Sequence, residues 1–439
     1  MINMHKIYRS LVIGSLFSCV IPGMSQASGF ALIENSASGQ GNAYAGAAAH
    51  VTDASTIFFN PAGMMRLEGD SISIAGHFIM PDASFTNNGS VHGPGGLGTT
   101  LTQADDDGGA SAFVPNFYWV KTIDEQMKFG LGVQTTFGLA TKYETGWTGQ
   151  YHAVETDLKT VNLNPSIAYQ VNGKLSLGGG LDIVIGEVIL TSAIDLSNIN
   201  GGPDGFADLE ADNYSDPGLG FNFGLQYEID MNTIIGASYR SEIDLDFSGD
   251  ADFTVPVPFG PFGTAIFLDT GIDASITVPA SLSLSVARKK DKITYLADIT
   301  WTGWSSFDEL RIVYDNPAQP DTVTTQSWDD TYRYSVGFDY QYSDTMILRS
   351  GLAYDETPIP SPERRTPRIP GNDRTWLSFG LTYMLDDQSS IDVGYSHLFI
   401  DDAEINNTLE TSVPPLNATL TGTYTASVDI LSVQWNKKF

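Results

Sequence analysis

The 439-residue chain carries 52 acidic against 22 basic side chains, a formal charge of −30, and such a surface repels phosphate backbones, which excludes nucleic acid as a partner. Hydrophobic residues make up 42% of the chain, yet the longest apolar run after the N-terminus, Leu181 to Leu190, is short and broken by Asp182 and Glu187, which excludes transmembrane helices of roughly 20 apolar residues. Forty-four Gly, 19 Tyr and 23 Phe favour many short strands joined by tight turns.

Residues 1–27 read as a secretory leader. Lys6 and Arg9 form its basic part, Leu11 to Ile21 its apolar core and Ser25-Gln26-Ala27 a small-x-small cleavage site. The only cysteine, Cys19, falls inside it, so disulfides and cysteine-based metal or nucleophile chemistry are not expected in the rest of the chain. A lipoprotein signal at Leu16 to Cys19 is the weaker reading, because Phe17 is bulky for such a box.

Residues 28–70 do not alternate. Ser36 to Ala49 is nearly all Gly, Ala and Ser, followed by Asp53-Ala54-Ser55-Thr56 and Phe58-Phe59-Asn60-Pro61-Ala62. A stretch with so little charge and a Phe pair is a poor tail and a poor membrane strand, and is expected to form a small domain filling the lumen of the strand-rich region downstream.

From Ser71 to the end the pattern has period two. Phe129, Leu131, Val133, Phe137 and Leu139 alternate with Gly130, Gly132, Gln134, Gly138 and Ala140; Leu282, Leu284 and Val286 alternate with serines; Tyr334, Val336, Phe338 and Tyr342 with Ser335, Gly337 and Gln341; Phe379 and Tyr383 with Gly380 and Thr382. Tyr334 and Tyr342 are eight residues apart on one face, about 26 Å at 3.3 Å per residue, which matches an apolar band about 25 Å tall between aromatic girdles. The last strand, carrying Leu431, Val433, Trp435 and Phe439 on one face, is expected to pair with an earlier one and close the sheet. Polar loops are predicted at Thr86 to Gly109, Ser192 to Pro217, Pro256 to Gly263, Asp315 to Thr325 and Pro358 to Asn372, most of them outside the cell. The reading is an all-β, transmembrane antiparallel barrel over 71–439.

At these residues the chain resembles the FadL family of outer-membrane transporters for long-chain fatty acids and other hydrophobic compounds. Gly29-Phe30, Gly39-Gln40-Gly41 and Asp53-Ala54, with Asn60, Pro61 and Ala62, resemble the family's N-terminal hatch and its Asn-Pro-Ala motif. The likeness continues through Phe137-Gly138-Leu139, Asn162-Leu163-Asn164, Tyr239-Arg240-Ser241, Trp304 to Leu310, Asp329 to Tyr334, Ile369 to Trp376 and Asp392-Val393-Gly394. The resemblance implies a 14-stranded monomeric barrel plugged by the hatch, a hydrophobic groove among outer loops, an inner pocket, and an inward kink of the third strand at Phe137, Gly138 and Leu139 for lateral release. It also implies a Gram-negative outer-membrane setting, with outer-membrane lipids, lipopolysaccharide and the barrel assembly machinery as partners. A water-filled pore would expose an acyl chain at about 0.8 kcal/mol per CH₂, which favours such a sideways route.

In the family's fatty-acid carriers two basic residues hold the ligand carboxylate. Arg311 matches one; the other should fall near Ser192, but no Lys or Arg occurs between Lys174 and Arg240. Each charge-assisted contact contributes roughly 1.5–3 kcal/mol, so its loss makes a neutral alkane or aromatic cargo a serious alternative. Arg364, Arg365 and Arg368 are candidate substitutes, or else a solvated basic loop. No TonB box or energy source is apparent.

No enzyme, cofactor or metal is expected. The histidines fall in no hydrolase spacing, although His397 beside Ser396 leaves an outer-membrane lipid hydrolase conceivable. The glycine-rich run from Gly93 to Gly98 lacks the Lys of a phosphate loop, and Asp204, Asp208, Glu210, Asp212 and Asp216 depart from EF-hand spacing. The remaining rival is a general porin, which the plug-like N-terminus disfavours.

Overall fold

A computed structural model of the chain describes residues 29–92, 104–196, 204–256, 266–410 and 418–439; the predicted leader at 1–27 lies outside them. Among the described residues no helix is long and apolar enough to cross a membrane. The crossing is made by strands.

Among the described residues twenty-two strand segments, one of them the short Val91–His92 beside the last stave, join edge to edge into a closed antiparallel barrel of 14 staves. In order they are β1 (Ser71–Asn87), β2 (Ala112–Thr122), β3 (Met127–Gln134 and Gly138–Lys142), β4 (Glu155–Gln170) and β5 (Leu175–Ile194). Next come β6 (Gly205–Asp212 and Gly218–Asp230), β7 (Thr233–Arg240 and Ile243–Thr254), β8 (Thr270–Val278 and Ser281–Lys290), β9 (Ile293–Thr302 and Glu309–Tyr314) and β10 (Thr322–Thr325 and Thr331–Ser343). The last are β11 (Met346–Asp355), β12 (Arg374–Met384), β13 (Ser389–Ile400, extended by Ala403–Thr408) and β14 (Ala418–Lys438). β14 pairs with β1 from Ser71↔Lys438 to Asn87↔Gly422, so the sheet closes on itself.

The alternation gives the direction of burial. Leu284, Val336, Tyr342, Phe379, Tyr383 and Trp435 are exposed on the outer face, while Ser335, Ser378, Ser432 and Gln434 are buried inside. Short turns lie at one end and the long connections at the other. Two predicted loops are shorter than expected. Gly205–Asp212, inside the predicted 192–217 loop, is strand, because Ala207, Leu209 and Ala211 face inward while Asp208 and Glu210 face out; Thr322–Thr325 likewise pairs with Glu309–Ile312. Gly205–Asp212 carries charge on its outer face and Thr322–Thr325 is short and polar, so both read as loops by composition although they pair as strands.

The stave β3 also departs from the expected continuous alternation. Phe129, Leu131 and Val133 face outward, but Phe137 and Leu139 are buried inside. Between Gln134 and Gly138 the chain leaves the ladder: β4 skips only Thr160 and Val161 opposite Thr135, Thr136 and Phe137. Thr160 Oγ1 fills the space, donating to the Phe137 carbonyl at 2.6 Å and accepting its N–H at 3.3 Å. The one-residue surplus is a bulge, and it reverses which face each later side chain presents.

Residues 29–69 pack within the lumen, built on helix α1 (Ala37–Gly41), the short helix α2 (Thr56–Phe59) and a 3₁₀ turn (Pro61–Arg66). The small inward face of the barrel makes the room. Gly41 crosses Gly380 backbone on backbone, where a Cβ on Gly380 would lie 2.6 Å from the Gly41 Cα. Arg349, itself buried, braces this contact between Asp339 (3.1 Å) and Asp392 (3.2 Å), and His50 and Asn42 of the segment reach Asp339 at 2.9 and 3.0 Å. Such charges are tolerable away from water because each is paired and hydrogen-bonded.

Candidate functional site: an apolar chamber beside a parting in the barrel wall

The Asn60-Pro61-Ala62 sequence has a local reason for each residue. The Asn60 Oδ1 accepts the Ala62 N–H at 3.1 Å and caps the 3₁₀ turn, and Pro61 stands at its first position, where the missing N–H costs nothing. Ala62 lies so close to Gly178 that a side chain there would meet its backbone. The Asn60 Nδ2 lies 2.7 Å from the Ala48 carbonyl and 3.0 Å from that of Leu225 on β6, which pins the turn to the wall. Arg240 on β7 adds an ion pair to buried Asp182, a bond to the Phe58 carbonyl at 3.2 Å and a cation–π contact with the Phe58 ring at 5.0 Å.

Toward the loop end lies a chamber of about 270 Å³. Its walls are mainly aliphatic and aromatic, with Leu158, Val188, Leu190, Leu209, Phe247, Ile276 and Ile312 from six staves. Phe30 and Phe307 contribute to its lining, and Phe30 packs against Phe137, Trp304 and Trp328 with ring centroids 4.9 to 6.0 Å apart. Burying such a surface against an apolar ligand is favourable at about 25 cal/mol per Å².

The chamber adjoins a parting in the wall. β2 pairs with β3 only from Phe117↔Val133 to Thr122↔Lys128, and the chain ahead of β2 meets β3 again only at the bridge Gly109↔Thr141, so a window lies between. The N-terminal segment occupies the space: Leu32 N donates to the Thr136 carbonyl and Gly138 N to the Phe30 carbonyl, each at 2.9 Å, with Ala31 bridging Phe137. The structure thus brings Phe137, Gly138 and Leu139 together with Phe30 at the chamber. Leu139 lines it, Phe137 backs Phe30, and Gly138 holds the strand-like contact. Asn60, Pro61 and Ala62 lie elsewhere, against the wall at Gly178 and Leu225.

The expected carboxylate contact at Arg311 is not met by this geometry. Leu310, Ile312 and Tyr314 line the chamber, so Arg311, one residue out of phase, points away; it is 45% exposed and paired with Glu309 at 2.7 Å and Asp321 at 3.0 Å. The cation on the chamber is Arg368. Its Nη1 donates to the Glu155 carbonyl (3.0 Å) and to Thr156 Oγ1 (2.8 Å), its Nη2 to the Thr191 carbonyl (3.3 Å), and among the described residues no carboxylate pairs with it. Burial lowers its pKa to about 10, so it stays charged at neutral pH. The loop is therefore not a solvated basic one: Arg365 is buried on the Gly371 and Glu404 carbonyls, and only Arg364 is a surface ion pair, with Glu410. Composition could not separate the three arginines.

His397 and Ser396 are not assembled as a catalytic pair. Ser396 points inward to Ser378 Oγ at 2.7 Å, while His397 is on the outer face with Asp429 at 2.8 Å. Among the described residues no group of three His, Cys, Asp or Glu could hold a metal ion.

A 14-stave barrel with a lipid-facing apolar belt, an apolar chamber and a parted wall defines an outer-membrane protein of the class that transports hydrophobic compounds. Residues 18–439 match the family model described as outer membrane protein transport protein (OMPP1/FadL/TodX), and the chain belongs to that family. It is 30% identical over 407 residues to a long-chain fatty acid transport protein of Escherichia coli O6:H1, covering 86% of this chain and 88% of that one. It is 29% identical to outer membrane protein P1 of Haemophilus influenzae, covering 90% of each. Among solved structures, a Pseudomonas aeruginosa FadL homologue superposes with a TM-score of 0.81 at 24% identity, covering 93% of this chain and 99% of that one. The Pseudomonas putida toluene transporter TodX gives 0.68 at 19% identity, with the same coverage. These two likenesses speak to the fold.

Proposed function

We propose that the protein takes up long-chain fatty acids passively, holding the carboxylate at Arg368 and the acyl chain along the chamber. The observation that carries this reading is the half-buried guanidinium with no acidic partner among the described residues, on an otherwise apolar wall: an incoming carboxylate would supply the missing counter-charge, a charge-assisted contact of roughly 1.5–3 kcal/mol. Relatives named for long-chain fatty acid transport support it. In this reading residues 29–69 act as the hatch. Withdrawal of Phe30 to Leu32 from beside Thr136 and Gly138 opens the parting between β2 and β3, and the ligand leaves sideways into the membrane without crossing water.

The test is a binding titration of the detergent-solubilised barrel with oleate and a carbon-matched alkane. Arg368→Ala is expected to weaken oleate by about 10- to 100-fold and leave the alkane unchanged, while Arg311→Ala changes neither. Equal binding of the two ligands, unaffected by Arg368→Ala, would instead make the cargo a neutral hydrocarbon.

A further inference from the structure

The chamber has a second nitrogen group at its polar corner. Ala193 N donates to the Gln150 carbonyl and Val154 N to the Thr191 carbonyl, both at 2.9 Å, which brings the turn carrying His152 against Ser192. Ser192 is the place where a second basic residue was expected and is absent. Both His152 and Ser192 line the chamber, and so does Arg368, which shares the Thr191 carbonyl with Val154.

The His152 ring is held in one tautomer. Its Nε2 lies 3.1 Å from the Asn407 carbonyl, which can only accept, so Nε2 carries the hydrogen and Nδ1 is bare. Among the described residues Nδ1 has no hydrogen-bond partner. Burial and the Arg368 charge hold this imidazole at a pKa of about 4, so it is neutral in the empty chamber at neutral pH. A carboxylate placed against Arg368 cancels the repelling cation and offers Nδ1–H an acceptor, two gains that oppose the burial.

Other charged groups around the corner are already engaged. Asp195 pairs with His92 at 2.8 Å, Tyr151 donates to Asp204 at 2.9 Å, Glu410 pairs with Arg364 and Asp321 with Arg311. None of these carboxylates bonds to His152.

We propose that His152 is the second head-group contact, formed only when it takes up a proton from solvent as an anionic ligand binds beside Arg368, so that the pocket captures an anion and a proton together. This rests on the reading of Arg368 given above. The ligand class is an amphiphile with a single compact anionic head. Binding then tightens as pH falls from about 8 to 6, because the bound state holds one more proton than the free protein and ligand.

The experiment is calorimetric titration of the full-length barrel in a non-ionic detergent with oleate and with an alkyl sulfonate, in two buffers of different ionisation heat at neutral pH. The sulfonate stays ionised, so any proton taken up belongs to the protein. Wild type is expected to take up between about one half and one proton per sulfonate, with affinity rising about tenfold from pH 8 to 6. His152→Gln, which keeps a donor for the Asn407 carbonyl, should bind the sulfonate with no uptake and a flat pH profile. Zero uptake by wild type, or equal uptake by His152→Gln, overturns the proposal, and a flat wild-type pH profile does so even where the variant fails to fold. If neither anion outcompetes the alkane, the Arg368 reading itself is what has failed.

Discussion

The Phe30 carbonyl accepts the Gly138 N–H at 2.9 Å, so a residue from the start of the described chain completes the strand pairing that β2 abandons above Phe117. The contact is made across the parting and on the chamber side of it. Two roles that could be separate, holding the lumen segment and sealing the wall, therefore fall on the same three residues.

Locking that contact should stop transport. Ala31 and Phe137 face each other as an antiparallel bridge, and the chain beyond the predicted leader has no cysteine of its own. In Ala31→Cys/Phe137→Cys, oxidation is expected to cut fatty-acid uptake by at least about tenfold while leaving binding in the chamber intact, and reductant should restore it. Uptake at the wild-type rate in the oxidised protein would mean that the segment need not move.

The lumen segment should respond to pH through Glu34. This side chain is fully buried, and desolvation, opposed by its own backbone hydrogen bond and by Arg374 and Arg333, raises its pKa to about 7. The folded state keeps the proton up to about pH 7 whereas an unfolded glutamate releases it near 4.5, so the stabilising contribution is complete below pH 4.5 and is lost as pH rises through 7. Glu34→Gln is expected to raise stability by about 3 kcal/mol at pH 8 and to match wild type at pH 4, read as thermal unfolding in detergent. A variant no more stable than wild type at pH 8 would exclude this titration.

Gly224 should be intolerant of a methyl group. A Cβ there would collide with the Asn60 Oδ1 that caps the 3₁₀ turn. Gly224→Ala is expected to cost about 2 kcal/mol and to raise single-channel conductance by loosening the segment, while Gly173→Ala, with nothing within 4 Å, changes neither. Unaltered melting of Gly224→Ala would show that Asn60 has room to shift.

Removing the segment altogether separates a plugged barrel from an open pore. Deletion of residues 29–68 unpairs His50 and Asn42 from Asp339 and exposes Arg349 to the lumen. Conductance is expected to rise from near zero to that of a wide aqueous channel; a barrel already conducting at that level before deletion would be a porin.

Much of this architecture could be read from residue order. Tyr334 and Tyr342 gave the height of the lipid belt because a strand in a membrane alternates strictly, and their exposure on one face agrees. The same rule misplaced Phe137 and Leu139, since a bulge of one residue leaves no mark in composition yet exchanges inside for outside. Resemblance pointed to Arg311, but a cation's role depends on which face of its strand it occupies, and Leu310 and Ile312 claim the inner one. Arg368 lies on a loop, where no periodicity fixes orientation. Its position is set by Glu155, Thr156 and Thr191, whose separations from it in sequence are 213, 212 and 177 residues. His152 stands in no telling motif, because its meaning comes from a turn folded against Ser192.

The closing seam between β1 and β14 imposes an order of events. Ala37 N donates to Gln434 Oε1 at 2.9 Å and Gln40 Nε2 to the Ile430 carbonyl at 3.0 Å, contacts separated by 397 and 390 residues. The portion of the chain made early thus has partners on staves from β3 onward but completes its contacts only with β14. A truncation just before Gln434 would therefore strip a contact from the segment around Ala37 at the same stroke as it shortens the closing stave.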